Sequence, residues 1–333
     1  MDRPTKNEPE EPEGPRYSLV STTGDFRDAL GRLQSSPRLA IDVEADSLYH
    51  YFEKVCLIQI SSDSDTYILD PLVIDEIGKL APVMADPSVE KVFHAPSYDF
   101  FCLRRDYGFE FRNIFDTHVA AQLLGYEFLG LGALMEEILS IHHSKRRQRD
   151  DWSRRPLKPE QLEYAAMDTL HLLRLRDTLE AKLQEMNRLE WAREEFEAEV
   201  SIERPVKEFD TEGYRRIKGY HSLKPRQQAL LRELYILRDR IAQDLDVPSF
   251  KVLNNPVLVD LAQNPPRSSR EMFHRPGVSY RVARGYAEDI LQAIRNASKE
   301  NPAPPQPPNN ANWRSPSRES KRRMDRLKNW RKS

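Results

Sequence analysis

In the stretch LAIDVEAD, the apolar residues Leu39, Ile41 and Val43 alternate with Asp42 and Glu44. A strand here puts both acids on one face, with Cα atoms roughly 6–7 Å apart. Side-by-side carboxylates on a sheet face repel unless a cation compensates them; the alternative is a solvent-facing edge strand with two surface acids. Asp99, in HAPSYDFF, follows a short extended run and falls in the first turn of a helix. An acid there either binds a cation or simply complements the helix dipole. Tyr164 and Asp168 stand four apart in PLKPEQLEYAAMDTLHLLRLRDTLEAKL, which reads as one long helix over residues 156–183 with Pro159 in its first turn. Both lie on one helix face, and an aspartate between YAAM and TLHLL is costly to bury without a partner. Each residue alone has an ordinary explanation. Those explanations lose ground once the four acids are considered together.

The elements that must position these residues follow from periodicity. A helix-like segment at 24–34 precedes strands in PRLAIDVEAD, VCLIQISS and DTYILD, and shorter extended runs in EKVFHA and FRNIFDT. Helical patterns fall at about 75–85, 97–107, 117–124 and 130–140. Three closely spaced strands followed by strand–helix alternation predict a mixed α/β sheet. From about residue 160 onward the chain reads as all helix, with a charged connector and then a compact unit in which Leu230, Leu234, Leu237 and Ile241 form one buried face. The expected organisation is a disordered lead-in at 1–16, a catalytic domain at 17–200, a connector at 201–214, a small all-α domain at 215–298, and a Pro-rich linker with a basic tail at 299–333.

Charge divides along the chain. Residues 17–214 hold 23 Lys/Arg against 37 Asp/Glu, a net −14; residues 215–297 hold 15 against 8 and residues 313–333 hold 9 against 2, each a net +7. A basic C-terminal third beside an acidic body suggests a polyanionic partner, with solvated helical surfaces as the alternative. No run of about 18 apolar residues is present, so no membrane partner is expected. The first 16 residues lack the basic-then-apolar order of a secretory signal, and Cys56 and Cys102 lie 46 positions apart, which fits neither a disulfide framework nor paired metal-ligand spacing. A reducing cytoplasm is the expected setting.

Taken in order, Asp42, Glu44, Asp99 and Asp168 with Tyr164 resemble the DEDD superfamily of 3'-5' exonucleases, in the subclass with a tyrosine four residues before the last aspartate. The histidine subclass would carry its histidine at position 163, here Glu163. AIDVEADS, VCLIQIS, YILDPL, KVFHAPSYDFFCLRRDYGF, FDTHVAAQLLG and RDDWSRRPLKPEQLEYAAMDTLHLL are similar, segment by segment, to the ribonuclease D family. LYILRDRIAQDLDVPSFKVLNNPVLVDLAQNPPRSSREM resembles an HRDC domain, the helical nucleic-acid-binding module of that family. The likeness covers about residues 17–298; Val43 departs from the threonine the family often has, on the strand face away from the acids.

The resemblance implies a ribonuclease H-like (DnaQ-like) mixed-sheet exonuclease domain followed by a small all-α HRDC domain. It also implies two divalent cations, Mg²⁺ or Mn²⁺, held by Asp42, Glu44, Asp99 and Asp168, with Tyr164 orienting the attacking water. Hard oxygen ligands suit these ions, and paired cations suit phosphodiester hydrolysis. The implied activity is 3'-5' exoribonuclease trimming of structured RNA with a free 3' end, such as tRNA precursors. A DNA-directed exonuclease and an inactive nucleic-acid-binding protein are the alternatives. Lys145, Arg146, Arg147 and Arg149 precede the helix of Tyr164 and are candidates to contact phosphates, an ordinary solvated loop being the alternative. His142 and His143 lack a third ligand and make a poor metal site. Asp116 in FDT reads as the N-cap of the next helix. The tail RESKRRMDRLKNWRKS resembles the start of the helix RQQALLRELYILRDRIAQ, so a second HRDC-like domain would begin there; alone it is too short to pack, and residues 301–333 are expected to be disordered.

Overall fold

A computed structural model describes residues 17–144, 146–202, 208–299 and 317–330. The expected disordered lead-in at 1–16, Lys145, and residues 301–316 of the linker lie outside the described residues. The chain divides into two units, Met1–Glu208 with Leu245–Pro248, and Phe209–Asp244 with Ser249–Ser333.

The first unit runs β1 (Ser18–Val20), α1 (Thr23–Gln34), β2 (Arg38–Ala45), β3 (Val55–Ser61), β4 (Thr66–Leu69), a 3₁₀ turn (Ile77–Leu80), α2 (Ala81–Ala85), β5 (Glu90–Phe93), α3 (Ser97–Tyr107) and β6 (Ile114–Asp116). Helices follow as α4 (Thr117–Leu124), α5 (Leu131–Leu134) running into a π turn (Met135–Leu139), α6 (Pro159–Leu170), α7 (Leu172–Glu185) and α8 (Leu189–Val200). The six strands form one sheet in the order β1-β4-β3-β2-β5-β6. β3 runs antiparallel to β2 and β4, while β1–β4, β2–β5 and β5–β6 are parallel pairs. The sheet is therefore mixed, as the strand spacing predicts.

Both faces of the sheet are covered, which is why β3 is buried at every position and shows a continuous apolar run instead of alternation. On one face Leu39, Ile41 and Val43 join Phe26 and Leu33 of α1 and Phe100 and Leu103 of α3 in one core. On the other, Ala40, Val92 and Phe115 meet Leu172, Leu175 and Leu179 of α7 and Phe196 of α8. Each large side chain among them contributes about 1.5–3 kcal/mol through burial, so β2 is clamped from both sides at its centre.

Four elements of the first unit differ from expectation. β1 is too short to show alternation and exists because Ser18–Val20 pairs with Tyr67–Leu69. The helix expected over 75–85 is a 3₁₀ turn followed by α2, and that over 130–140 is α5 with a π turn. The long helix over 156–183 is two helices broken at His171, whose φ of −112° and ψ of 2° are not helical. The break lets Ala165 and Ala166 of α6 pack with Cys56, Leu57, Ile68 and Trp152, while α7 packs into a different core.

In the second unit α9 (Pro225–Leu245), α10 (Ser249–Val252), α11 (Asn255–Gln263), α12 (Ser269–Phe273) and α13 (Tyr280–Lys299) form a small helical bundle. Leu230, Leu234 and Ile241 are buried as their spacing predicts and Leu237 is half-buried. The buried Arg238 guanidinium donates to Leu253 O at 3.1 Å and Asn255 Oδ1 at 2.8 Å, which ties α9 to the start of α11. Residues Arg318–Trp330 form a further helix, α14, in place of the expected disorder. Ser317 Oγ accepts from Ser320 N–H at 3.1 Å as an N-terminal cap, and Arg323 pairs with Glu319 one turn away. None of its residues is buried, and Met324, Leu327 and Trp330 stay exposed. No helix among the described residues is long and apolar enough to cross a membrane.

Candidate active site

β2 pairs with β5 only over Arg38–Ala40, so Asp42 and Glu44 lie past that pairing, held on the other side by β3 with Asp42 opposite Gln59 and Glu44 opposite Leu57. β5 ends at Phe93, and the chain turns through Ala95, at a φ of 56°, into α3, whose first turn carries Asp99. α6 lies over the same sheet face and is tied to β3 where Ser61 Oγ donates to Thr169 Oγ1 at 2.8 Å, one residue from Asp168. Asp42, Glu44, Asp99, Tyr164 and Asp168 thus line one cavity of about 390 Å³ beyond the carboxyl ends of β2 and β5. In open α/β sheets such crevices are the usual ligand sites.

Carboxylate oxygens of Asp42, Glu44 and Asp168 lie within 4.8 Å of one another. Asp99 lines the same cavity but is not one of that trio. Asp99 and Asp168 are buried, and Asp42 and Glu44 half-buried. Two ionised carboxylates at that 4.8 Å separation repel by about 3 kcal/mol at an effective dielectric near 20. Burial, followed by the charges of Asp168 and Asp99, pushes Asp42 and Glu44 well above the carboxylate range. Burial and then Asp116, Asp168 and Glu199 push Asp99 up to about 8. Burial also raises Asp168, against a hydrogen bond from His143.

The donor set fits hard divalent cations: it is all carboxylate oxygen, and Asp42, Glu44 and Asp168 already converge within 4.8 Å. A pH effect follows. Asp99 holds its proton in the folded chain up to about pH 8, while in the unfolded chain an aspartate ionises near pH 4. Folding therefore takes up protons between those limits, and cation-free stability falls as pH rises through them. Melting in chelator is expected to drop more steeply from about pH 5 to about pH 8 in the wild type than in Asp99→Asn. The stabilisation added by Mn²⁺ is expected to grow over the same range, because the ion binds the ionised form. Parallel melting curves for the two proteins would contradict the assignment.

Tyr164 packs between His143, with rings 5.2 Å apart and stacked, and Trp152 at 6.0 Å. Its hydroxyl has no hydrogen-bond partner among the described residues. Burial, then Asp168, Glu44 and Asp42, raise its pKa, so it stays a protonated donor at the cavity. Asp116 caps α4 as expected, accepting from His118 N–H at 2.8 Å. The same oxygen also accepts from Ala95 N–H at 2.9 Å, fixing the turn that delivers Asp99. Of the histidine pair, His142 is exposed and pairs with Glu136, while His143 Nε2 donates to Asp168 Oδ1 at 2.7 Å. Glu199, beside Asp99 and bonded by Ser97 Oγ at 2.8 Å, had no signal in the sequence. Arg146 and Arg149 are exposed and Arg147 half-buried, 3.4 Å from Asp150. None of the three lines the cavity; Gln148 and Asp150 of the same segment do.

Residues 17–184 match the 3'-5' exonuclease family and residues 227–294 match the HRDC domain. Ribonuclease D of Pseudomonas paraeruginosa is 31% identical over 267 residues, covering 80% of this chain and 70% of that protein. The crystal structure of the catalytic core of RRP6 from Trypanosoma brucei is 27% identical with a TM-score of 0.78, covering 84% of this chain and 79% of that one. The crystal structure of Escherichia coli RNase D, an exoribonuclease involved in structured RNA processing, is 25% identical with a TM-score of 0.69, covering 93% and 83%. The chain belongs to the ribonuclease D family. Its catalytic unit has the DnaQ-like fold, followed by a helical HRDC domain, and its activity is that of a 3'-5' exoribonuclease.

Proposed function

We propose that this exoribonuclease trims the 3' ends of structured RNA, tRNA precursors among them, in the cytoplasm, by two-metal-ion hydrolysis with Mg²⁺ or Mn²⁺. The observation that carries the mechanism is the convergence of Asp42, Glu44 and Asp168 within 4.8 Å on a cavity that Asp99 and the open Tyr164 hydroxyl also line. In this reading the four acids hold the cations, which when bound activate water and offset charge on the leaving oxygen. Tyr164 donates to and orients the attacking water. Its flanking rings keep the hydroxyl directed at one place, so the positioning is prepared before substrate arrives. Arg146, Arg147 and Arg149, in the segment that gives Gln148 and Asp150 to the cavity, would meet the RNA backbone, as would Lys145, which lies outside the described residues.

Structured RNA is favoured as substrate by the function of the Escherichia coli relative. A hairpin with a single-stranded 3' trailer tests it: the trailer is expected to shorten one nucleotide at a time to a stop near the stem. A trailer left intact, with a fully unpaired strand degraded, would contradict the proposal.

The basic C-terminal segment supports a grip on RNA. Residues 313–333 carry a net +7, and α14 is exposed along its length. Every phosphate that the protein ceases to neutralise reduces the slope of log K against log[salt] by about 0.7 for single strands. Removal of residues 299–333 is therefore expected to weaken binding to long RNA and flatten its salt dependence, with melting temperature and hydrolysis of a very short oligonucleotide nearly unchanged. Equal salt slopes for the full and shortened chains would show that the arm does not touch RNA.

A further inference from the structure

The trio Asp42, Glu44 and Asp168 leaves unexplained how Asp168 keeps its place. With two other carboxylates within 4.8 Å, repulsion drives its side chain away from them when no cation is bound. A hydrogen bond opposes this. His143 Nε2 donates to Asp168 Oδ1 at 2.7 Å, with the two side chains only 6% and 10% exposed. We propose that His143 is a positioning residue, whose N–H holds the Asp168 carboxylate in the orientation that cation binding requires. The proposal rests on the reading that Asp168 holds a cation.

Three features fix the imidazole in place. Its ring stacks on Tyr164 at 5.2 Å and 27°. Its backbone is pressed against α5, where a Cβ on Gly132 would sit 2.9 Å from His143 O, so glycine is what permits the approach. Its neighbour His142 is exposed on Glu136, so only one of the two adjacent rings is turned into the cavity. His143 therefore touches both a proposed metal ligand and the proposed water-orienting residue, and it joins the segment after the π turn to α6. Groups that hydrogen-bond a metal ligand commonly change affinity for the ion by 10- to 100-fold when removed.

The test is Mn²⁺ binding to the full chain, by calorimetry, for wild type, His143→Phe, His143→Ala, His143→Gln and Asp42→Asn, with melting in chelator as a check on folding. Phenylalanine keeps a ring against Tyr164 without the donor; glutamine keeps an N–H without the ring. His143→Phe and His143→Ala are expected to bind Mn²⁺ about 10-fold more weakly and His143→Gln within about threefold of wild type. Excess Mn²⁺ is expected to restore kcat in His143→Phe. Wild-type affinity in His143→Phe, with Asp42→Asn deficient, overturns the proposal and leaves the cation site standing. His143→Gln as weak as His143→Ala also overturns it, since the donor would then not be what matters. Undiminished Mn²⁺ binding by Asp42→Asn would remove the cation-site reading itself.

Discussion

Asp42→Asn is expected to reduce hydrolysis by at least about 10³-fold, a loss of about 4 kcal/mol of transition-state stabilisation, within the range a metal clamp supplies. Asp42 stands at the middle of the carboxylate cluster, and its ionised form feels Asp168, Asp99 and Glu44 together. Replacing it by the isosteric amide removes one negative charge without opening a cavity, while β2 keeps its apolar partners Leu39, Ile41 and Val43. The variant is therefore expected to melt in chelator at or slightly above the wild-type temperature and to gain little from added Mn²⁺. Asp168→Asn is expected to lose as much activity. Turnover near wild type in either variant would remove the acids from the chemistry, and a large drop in melting temperature would assign them to folding instead.

Tyr164→Phe is expected to lower kcat by about 10²-fold, the scale expected when a group that orients the attacking water is removed, with Mn²⁺ affinity little changed. The phenyl ring keeps its packing against His143 and Trp152, so the only group removed is the hydroxyl of a residue that lines the cavity. Losses of kcat without loss of cation affinity separate this residue from the acids and also from His143, for which the reverse is expected. A fully active phenylalanine variant would return Tyr164 to a packing role.

How much of this is legible in the sequence depends on the range of the signal. Asp42 and Glu44 stand out because strand alternation with Leu39, Ile41 and Val43 is a local pattern, and the structure keeps that alternation. Tyr164 and Asp168 stand out by helical spacing, although the break at His171 does not, since the residues around it are good helix formers and only packing into two separate cores requires the bend. His143 could not be read as a partner of Asp168, because the 25 positions that separate them hide the pairing and adjacent histidines suggest a metal site of the wrong kind. Asp116 reads as a helix cap and is one; its second bond, to Ala95, exists only because β6 lies beside β5. In the small domain the four-three-four spacing on α9 carries the fold directly. α14 forms from local signals, a serine cap and an i,i+4 pair, which outweigh the absence of any buried face.

In the proposed function a cation-dependent 3'-5' exoribonuclease site lies where Asp42, Glu44, Asp99, Tyr164 and Asp168 meet. The most direct measurement is incubation of 5'-labelled RNA and DNA of matched sequence with the protein, in chelator and in Mg²⁺. A ladder of labelled RNA shortened one nucleotide at a time from its 3' end, present only with Mg²⁺ and absent in Asp42→Asn, is the result this site predicts. Release of the label as a mononucleotide at the outset, cleavage that persists in chelator, or a ladder from DNA alone would contradict it.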